Sequence, residues 1–466
     1  MYSSHSSSLF GIDLQLIRRF GDYAADYRLY PESDYFVEAF DVHAYLAWLD
    51  NRKSGYFRRP LSLYVHIPFC HALCSYCNFH QIVAHDANSI DTYLHYLLHE
   101  IKLQGQLFKD DPKVEQVYFG GGTPTYLDDV QLSKIITGIQ QNFNLVNGGE
   151  FCIEVDPRQF QLRSMRALRD MGFSCAIIGV QDFDRQVQQS IQRLQSAEMT
   201  LHAIQSAQQA GFQSIRIELN YGLPKQDLQK FTYTLEQIIA VNPNRIKLRN
   251  YRHLPEKFKS QRSIDPTDLP NESVNFEMRL LAIVRLTEAG YTHIGMNLFA
   301  KLDDSLVHAQ RQGRLHYGLQ GYSIYPDCDH VALGLSGIGS IGPTLNQNYC
   351  DISQYYEKLE QNTLPIMRGL ELNADDLIRR SVMHALICHS VISHESVEAF
   401  FPIDFKQYFA TELAELRSYE RAGLIILDRD EIAVTPSGQL LINSICKVFD
   451  KYLRARQQRK NRLPLI

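Results

Sequence analysis

Residues 61–77 read LSLYVHIPFCHALCSYC, and this stretch decides the fold. Its first half is an apolar run bounded by Pro68, the pattern of a buried strand. Its second half sets Cys70, Cys74 and Cys77 at spacing C-x3-C-x2-C directly after that strand. Zinc in a structural site takes four closed ligands, so a Cys3His site with His66, His71 or His80 is one reading. A [4Fe–4S] cluster takes four thiolates, and three leave one iron open to a small molecule.

Similar runs follow: VEQVYFGGG (114–122), EFCIEVDP (150–157), SCAIIGVQDF (174–183), SIRIELNYGLP (214–224), RIKLRNY (245–251) and YTHIGMN (291–297). Helical patterns separate them, such as SIDTYLHYLLHEIKLQGQLF (89–108) and NFEMRLLAIVRLTEAG (275–290). Strand–helix alternation of this kind predicts an α/β fold, a partial or complete parallel βα barrel, with its chemistry on the loops at the C-terminal strand ends. The barrel is expected over residues 61–300, after an N-terminal arm (1–60) that carries one helix in FVEAFDVHAYLAWL (36–49). A barrel extension and connection (301–371) and a mostly helical, winged-helix-like C-terminal domain (372–466) follow. In that domain LIILDRDEIAVTPSG (424–438) reads as a two-strand wing.

The 466 residues are 45% apolar and 21% charged, with net charge −5. That balance excludes bulk attraction to nucleic acid or membrane, so the winged module reads as packing or substrate covering. The start MYSSHSSSLFGIDLQ lacks the basic and apolar regions of a secretory signal, and no apolar run approaches the ~18 residues of a membrane span. A cytoplasmic protein is expected, monomeric because no heptad or pairing surface stands out. Six of the nine cysteines (Cys152, Cys175, Cys328, Cys350, Cys388 and Cys446) are scattered and read as buried, reduced thiols. FGGGTPT (119–125) suits close backbone approach to a ligand. Glu154 is a carboxylate on an apolar strand, and Gln181 and Arg193 lie just after the next one.

The cysteine spacing, its place after a first strand and Tyr76 before the third thiol resemble the radical S-adenosylmethionine (SAM) enzymes. YRLYP (27–31), GGGTPTYL (120–127), IEVDPR (153–158), GVQDF (179–183), YGLPKQ (221–226), NYRHLP (250–255), AQRQG (309–313), LQGY (319–322) and SGQLLINSICKVFDKYLR (437–454) extend the likeness over nearly the whole chain. In order, they resemble the oxygen-independent coproporphyrinogen III oxidases (coproporphyrinogen dehydrogenases), oxidoreductases of haem (porphyrin) biosynthesis. The resemblance implies a [4Fe–4S] cluster on Cys70, Cys74 and Cys77. It implies one SAM against Tyr64, Gly121, Glu154 and Ile338. It implies a second against Tyr76, Gly122, Thr123, Gln181 and Arg193, with Glu218 and Arg252 beside it. The reaction it implies converts two propionates of coproporphyrinogen III to vinyl groups, with an unidentified electron donor and acceptor. It implies no residue as catalytic acid or base.

Departures gather at the second SAM. Phe79 stands where the family has a fourth cysteine. Glu218, Asn220, Arg252 and Asn297–Leu298 replace Asp, Ile, Ala and Asp-His. Arg249 and Arg252 can pair with carboxylates or fill the pocket. A haem chaperone and a paralogue acting on another tetrapyrrole are the competing readings. The single tryptophan, Trp48 in the arm, leaves no room for the Tyr-Trp feature of the chaperones.

Overall fold

A computed structural model describes residues 14–21, 27–54, 58–78, 82–83, 87–109, 113–158 and 165–462. Phe79 and His80 lie outside the described residues. The strands are β1 (Leu61–Ile67), β2 (Phe69–Cys70), β3 (Ile82–Val83), β4 (Val114–Gly121), β5 (Leu145–Val155), β6 (Cys175–Gln181), β7 (Ser214–Tyr221), β8 (Arg245–Asn250), β9 (Tyr291–Gly295) and β10 (Leu298–Lys301). After two short strands, β11 (His316–Gly318) and β12 (Gly321–Ser323), come β13 (Asp329–Leu333), β14 (Ile338–Ile341), β15 (Thr344–Asn348) and β16 (Ile366–Glu371).

One twelve-stranded sheet runs in the order β16-β15-β14-β13-β1-β4-β5-β6-β7-β8-β10-β9. From β13 to β8 every pairing is parallel, and the pairings outside are antiparallel. The barrel is therefore partial, since β16 and β9 end the sheet without meeting. YTHIGMN forms a strand but not a further βα unit. Gly295, Met296 and Asn297 have φ of +135°, +46° and +59°, a left-handed turn that sends the chain straight back. β10 then enters antiparallel against β8. The parallel neighbour on the other side of β1 is β13, from the segment expected as extension.

Helices cover the outer face and bury their apolar stripes. In Asp129–Asn142 the Asp128 side chain accepts from the Gln131 amide while the Gln131 side chain caps in return, and Leu132, Ile135 and Ile139 are buried at helical spacing. The arm holds the expected helix, Val42–Ser54, whose Tyr45 and Leu49 join the core of the sheet. Trp48 packs against the same core. An earlier helix, Leu14–Phe20, leads the chain the other way: Phe20, Tyr27 and Tyr30 share a core with the C-terminal domain. That domain contains β17 (Val391–Ser393), β18 (Ile425–Leu427) and β19 (Glu431–Val434), ordered β17-β19-β18. The expected two-strand wing therefore gains a third strand. Among the described residues no helix is long and apolar enough to cross a membrane.

Behind β1, the helix Ala87–Leu107 presents Glu100, which is fully buried. One carboxylate oxygen accepts from the Gly334 amide at 2.7 Å and from the Tyr355 hydroxyl at 2.6 Å; the other accepts from Asn348 Nδ2 at 2.7 Å. Burial pushes the carboxyl up to about 7, although the three donors oppose the rise. The folded state thus holds a proton that the unfolded chain releases near pH 4.3. The stability this proton contributes is lost as pH rises from there through 7. The loss is on the order of 3 kcal/mol. The fall in thermal midpoint between pH 5.5 and 8.0 should be larger in the wild type than in Glu100→Gln, and equal slopes would contradict this.

Candidate active site

Each parallel strand delivers its C-terminal end to one face, and the loops there enclose a cavity of about 840 Å³. The cysteine loop leaves β1 through Pro68 and is tied down along its length. The Gly122 amide donates to Ile67 O at 2.7 Å, the Ile82 amide to Pro68 O at 2.8 Å and the Ser75 amide to Ile191 O at 2.9 Å. Ser260 Oγ donates to Cys77 O at 3.0 Å. Cys70 and Cys74 are buried, Cys77 is half-buried, and all three line the cavity.

Two of them have polar neighbours that can stabilise a thiolate. Arg158 Nη2 and Arg193 Nη1 stand 3.8 and 3.9 Å from Cys74 Sγ, and Thr123 Oγ1 lies 3.5 Å from Cys70 Sγ. Both arginines are aimed by Asp156, which accepts from Arg158 at 2.6 Å and from Arg193 at 3.2 Å. Burial pushes the Asp156 carboxyl up, but Arg193 and Arg158 override it and hold it at about 2. Burial also pushes the Cys70 thiol up to about 11, so metal binding there releases a proton. Zn–S bonds of ~2.3 Å put thiolates roughly 3.8 Å apart around one ion. The three cysteines do not form a group whose ligand atoms all lie within 4.8 Å of one another. At least one pair therefore stands wider than a single zinc ion holds its thiolates.

The glycine loop abuts them. A Cβ on Gly122 would meet Phe69 O at 2.6 Å and Pro68 O at 2.7 Å, so only glycine lets the backbones touch. Gly121 has φ +111°, where a side chain is strained. Next to this loop, Glu154 Oε1 accepts from the Tyr118 hydroxyl at 2.7 Å, and its second oxygen has no protein donor among the described residues. Burial, then the nearby Glu218 charge, push Glu154 up to about 7.

The lumen below is charged. Arg216 Nη2 donates to the Tyr118 hydroxyl at 3.0 Å and to Glu218 Oε1 at 3.4 Å. Arg249 clamps Glu218 from β8, with Nε on Oε2 and Nη2 on Oε1, both at 2.9 Å. Burial pushes Glu218 up, but Arg249 and Arg216 hold it down at about 2. Where β6 ends, Gln181 takes φ +69° at a bulge, and Arg193 Nη2 donates to Gly179 O at 3.1 Å.

The cavity brings together the residues that the resemblance assigns to the cluster and SAM, while His71 lies outside its lining. Tyr64, Tyr76, Gly121, Gly122, Thr123, Glu154, Gln181, Arg193, Glu218, Arg252 and Ile338 line it with the three cysteines. Sequence reasoning missed Arg28 and Glu32 of the arm and Leu440–Ser444 of the C-terminal domain, which also line it. The signal lay in the matched segments YRLYP and SGQLLINS, whose roles only the folded chain displays. The expectation of buried, reduced thiols holds for Cys152, Cys175, Cys388 and Cys446 and fails for two others. Cys328 and Cys350 are half-exposed, and Cys350 lines the cavity. Cys152 and Cys175 pair across β5 and β6, and with Glu150 their ligand atoms lie within 4.8 Å. They sit 23 positions apart in sequence, and only the strand register joins them.

Comparison with known proteins places this geometry. Residues 64–238 match the radical SAM superfamily model, and residues 372–441 match the HemN C-terminal domain model. The oxygen-independent coproporphyrinogen III oxidase of Pseudomonas aeruginosa is 41% identical over 444 residues, 95% of this chain and 96% of the relative. The Escherichia coli K12 protein of the same name is 40% identical over 453 residues, covering 97% and 98%. The solved structure of coproporphyrinogen III oxidase from E. coli, titled a radical SAM enzyme, superposes with TM-score 0.89 at 39% identity, covering 94% of this chain and 99% of that one. A radical SAM sheet, a cysteine loop on its C-terminal face and full-length likeness to these proteins agree: the chain belongs to the oxygen-independent coproporphyrinogen III oxidase family of the radical SAM superfamily.

Proposed function

We propose that this chain oxidatively decarboxylates coproporphyrinogen III to protoporphyrinogen IX, as a monomeric cytoplasmic enzyme of haem biosynthesis. The observation that carries the reading is one cavity in which three thiols, a glycine loop and nine arginine and lysine side chains face the same space. Such a lining suits a redox cluster, a small cofactor and a substrate with several carboxylates.

Cys70, Cys74 and Cys77 hold the cluster in this reading, and Arg158 and Arg193 offset the thiolate charge. Gly121 and Gly122 bring backbone groups up to SAM, Glu154 accepts from its ribose hydroxyls, and Tyr64 and Ile338 flank it. When bound, cluster and SAM supply a one-electron cleavage of the sulfonium C–S bond and a carbon radical that abstracts hydrogen. Each propionate, –CH2–CH2–COO⁻, becomes –CH=CH2 by losing one hydrogen atom from its β carbon, one CO2 and one electron. The electron leaves to an external acceptor, as the first one comes from an external donor. The walls built by the arm and by Leu440–Ser444 exclude water from the radical.

Anaerobic reconstitution with iron and sulfide, followed by SAM, reductant and coproporphyrinogen III, should give vinyl product together with 5′-deoxyadenosine. SAM cleavage with no vinyl product would overturn the substrate. Cys74→Ala should lose most of the bound iron and all 5′-deoxyadenosine. Retained iron and activity would remove Cys74 from the cluster. In Gly122→Ala, the new methyl group pushes on the Pro68 and Phe69 carbonyls, so iron retained after gel filtration should drop severalfold while the far-ultraviolet circular dichroism is unchanged. Glu154→Gln should weaken SAM binding about tenfold or more, one hydrogen bond to a charged acceptor. Because Glu154 accepts as a carboxylate and titrates near 7, wild-type affinity for SAM should fall as pH drops below 7. The Gln variant should show a flat profile, and a parallel fall in both would exclude Glu154 as the titrating group.

A further inference from the structure

The family resemblance puts a second SAM beside Glu218, and the lumen of this chain does not fit one. SAM carries a sulfonium, an ammonium and a carboxylate, so it is net positive and needs an acidic partner for its ammonium. Glu218 is the carboxylate at that position, and both its oxygens are already taken by Arg249 and Arg216. Arg193 donates through Nη1 to Asp156 and through Nη2 to the Gly179 carbonyl. The cavity as a whole carries nine cationic side chains against four carboxylates, a lining that suits an anion beside Arg249 and Arg216.

The same atoms suit a carboxylate. Arg249 donates through Nε and Nη2 to Glu218, and its Nη1 donates to no protein group among the described residues. Its side chain is 28% exposed and lines the cavity. Arg216 Nε is buried and has no hydrogen-bond partner among the described residues. Glu218 thus serves as a strut that fixes the two guanidiniums, and Arg249 keeps an exposed donor to spare. Arg252, one strand end further on, lines the same space.

We infer that the lumen beyond Glu154 is a carboxylate-reading subsite built on Arg249 and Arg216, that it takes a propionate of the substrate, and that this chain binds a single SAM. The inference rests on the radical SAM reading of the previous subsection but adds a stoichiometry and a specificity determinant to it.

The test uses full-length, anaerobically reconstituted holoenzyme. Equilibrium dialysis with labelled SAM should give one SAM per cluster. Coproporphyrin III, the stable oxidised tetracarboxylate, should bind, and its tetramethyl ester should bind at least tenfold more weakly. Arg249→Gln should weaken coproporphyrin by about tenfold to a hundredfold, one charge-assisted contact. SAM affinity and the SAM-induced change in the cluster's electron paramagnetic resonance spectrum should stay the same. The double variant Arg249→Gln/Glu218→Gln leaves no buried carboxylate deprived of its clamp and should show the same loss. Two SAM per cluster with tight coproporphyrin binding would overturn this inference and leave the proposed reaction standing. Arg249→Gln with unchanged coproporphyrin affinity would also overturn it. No coproporphyrin binding by the wild type would overturn the proposed substrate, and the subsite with it.

Discussion

The amide of Gly122 donates to the carbonyl of Ile67 at 2.7 Å, and that single bond decides where the thiols stand. It joins the end of β4 to the exit of β1, so the glycine loop and the cysteine loop become one surface. The contact is tight enough that no other residue fits at 122. The parallel register of β1 with β4 sets it up, since Ile67 lies opposite Gly121. A parallel sheet offers many such strand ends, but only here do a glycine run and a cysteine run leave adjacent strands on the same face. Everything chemical in the cavity is arranged around that junction.

Charge is the second constraint. A sheet interior is a poor place for ions unless each is compensated. The chain meets this with two linked sets. Asp156 neutralises Arg158 and Arg193 beside the thiols, while Glu218 spans Arg216 and Arg249 deeper in the lumen. The Tyr118 hydroxyl links the lumen set to Glu154, taking a hydrogen bond from Arg216 and giving one to the carboxylate. The two sets differ in outcome. Around Asp156 both arginines also face Cys74 Sγ, whereas around Glu218 the Nη1 of Arg249 donates to no protein group among the described residues.

Local features of the site were legible in the sequence. C-x3-C-x2-C, a glycine run and a carboxylate within an apolar strand each carry their reason at short range, and the three cysteines, Gly121, Gly122 and Glu154 reach the cavity. The parallel core followed equally well from strand–helix alternation. What depends on distant partners was not legible. YTHIGMN has a strand's composition, and only the left-handed turn at Met296 and Asn297 reveals that it folds back. β13 reads as connection because its parallel neighbour, β1, lies 268 positions earlier. Cys152 and Cys175 looked unrelated because register, not spacing, brings them together. Arg28 and Asn443 belong to the cavity through the docking of both chain ends, for which a one-dimensional pattern has no signature.

That docking has a consequence for how the protein is made. Arg28 and Glu32 precede the three cysteines in translation, and Leu440–Ser444 follow them by more than 360 residues. On the ribosome the strands around the cysteine loop emerge while one wall of the chamber is still missing. The thiols are therefore open to iron delivery, and equally to oxygen, until the last helices leave the exit tunnel and seal the chamber. Cluster assembly and the docking of Leu440–Ser444 thus share a time window, and slow elongation between the cysteines and residue 440 would lengthen the exposure of the three thiols.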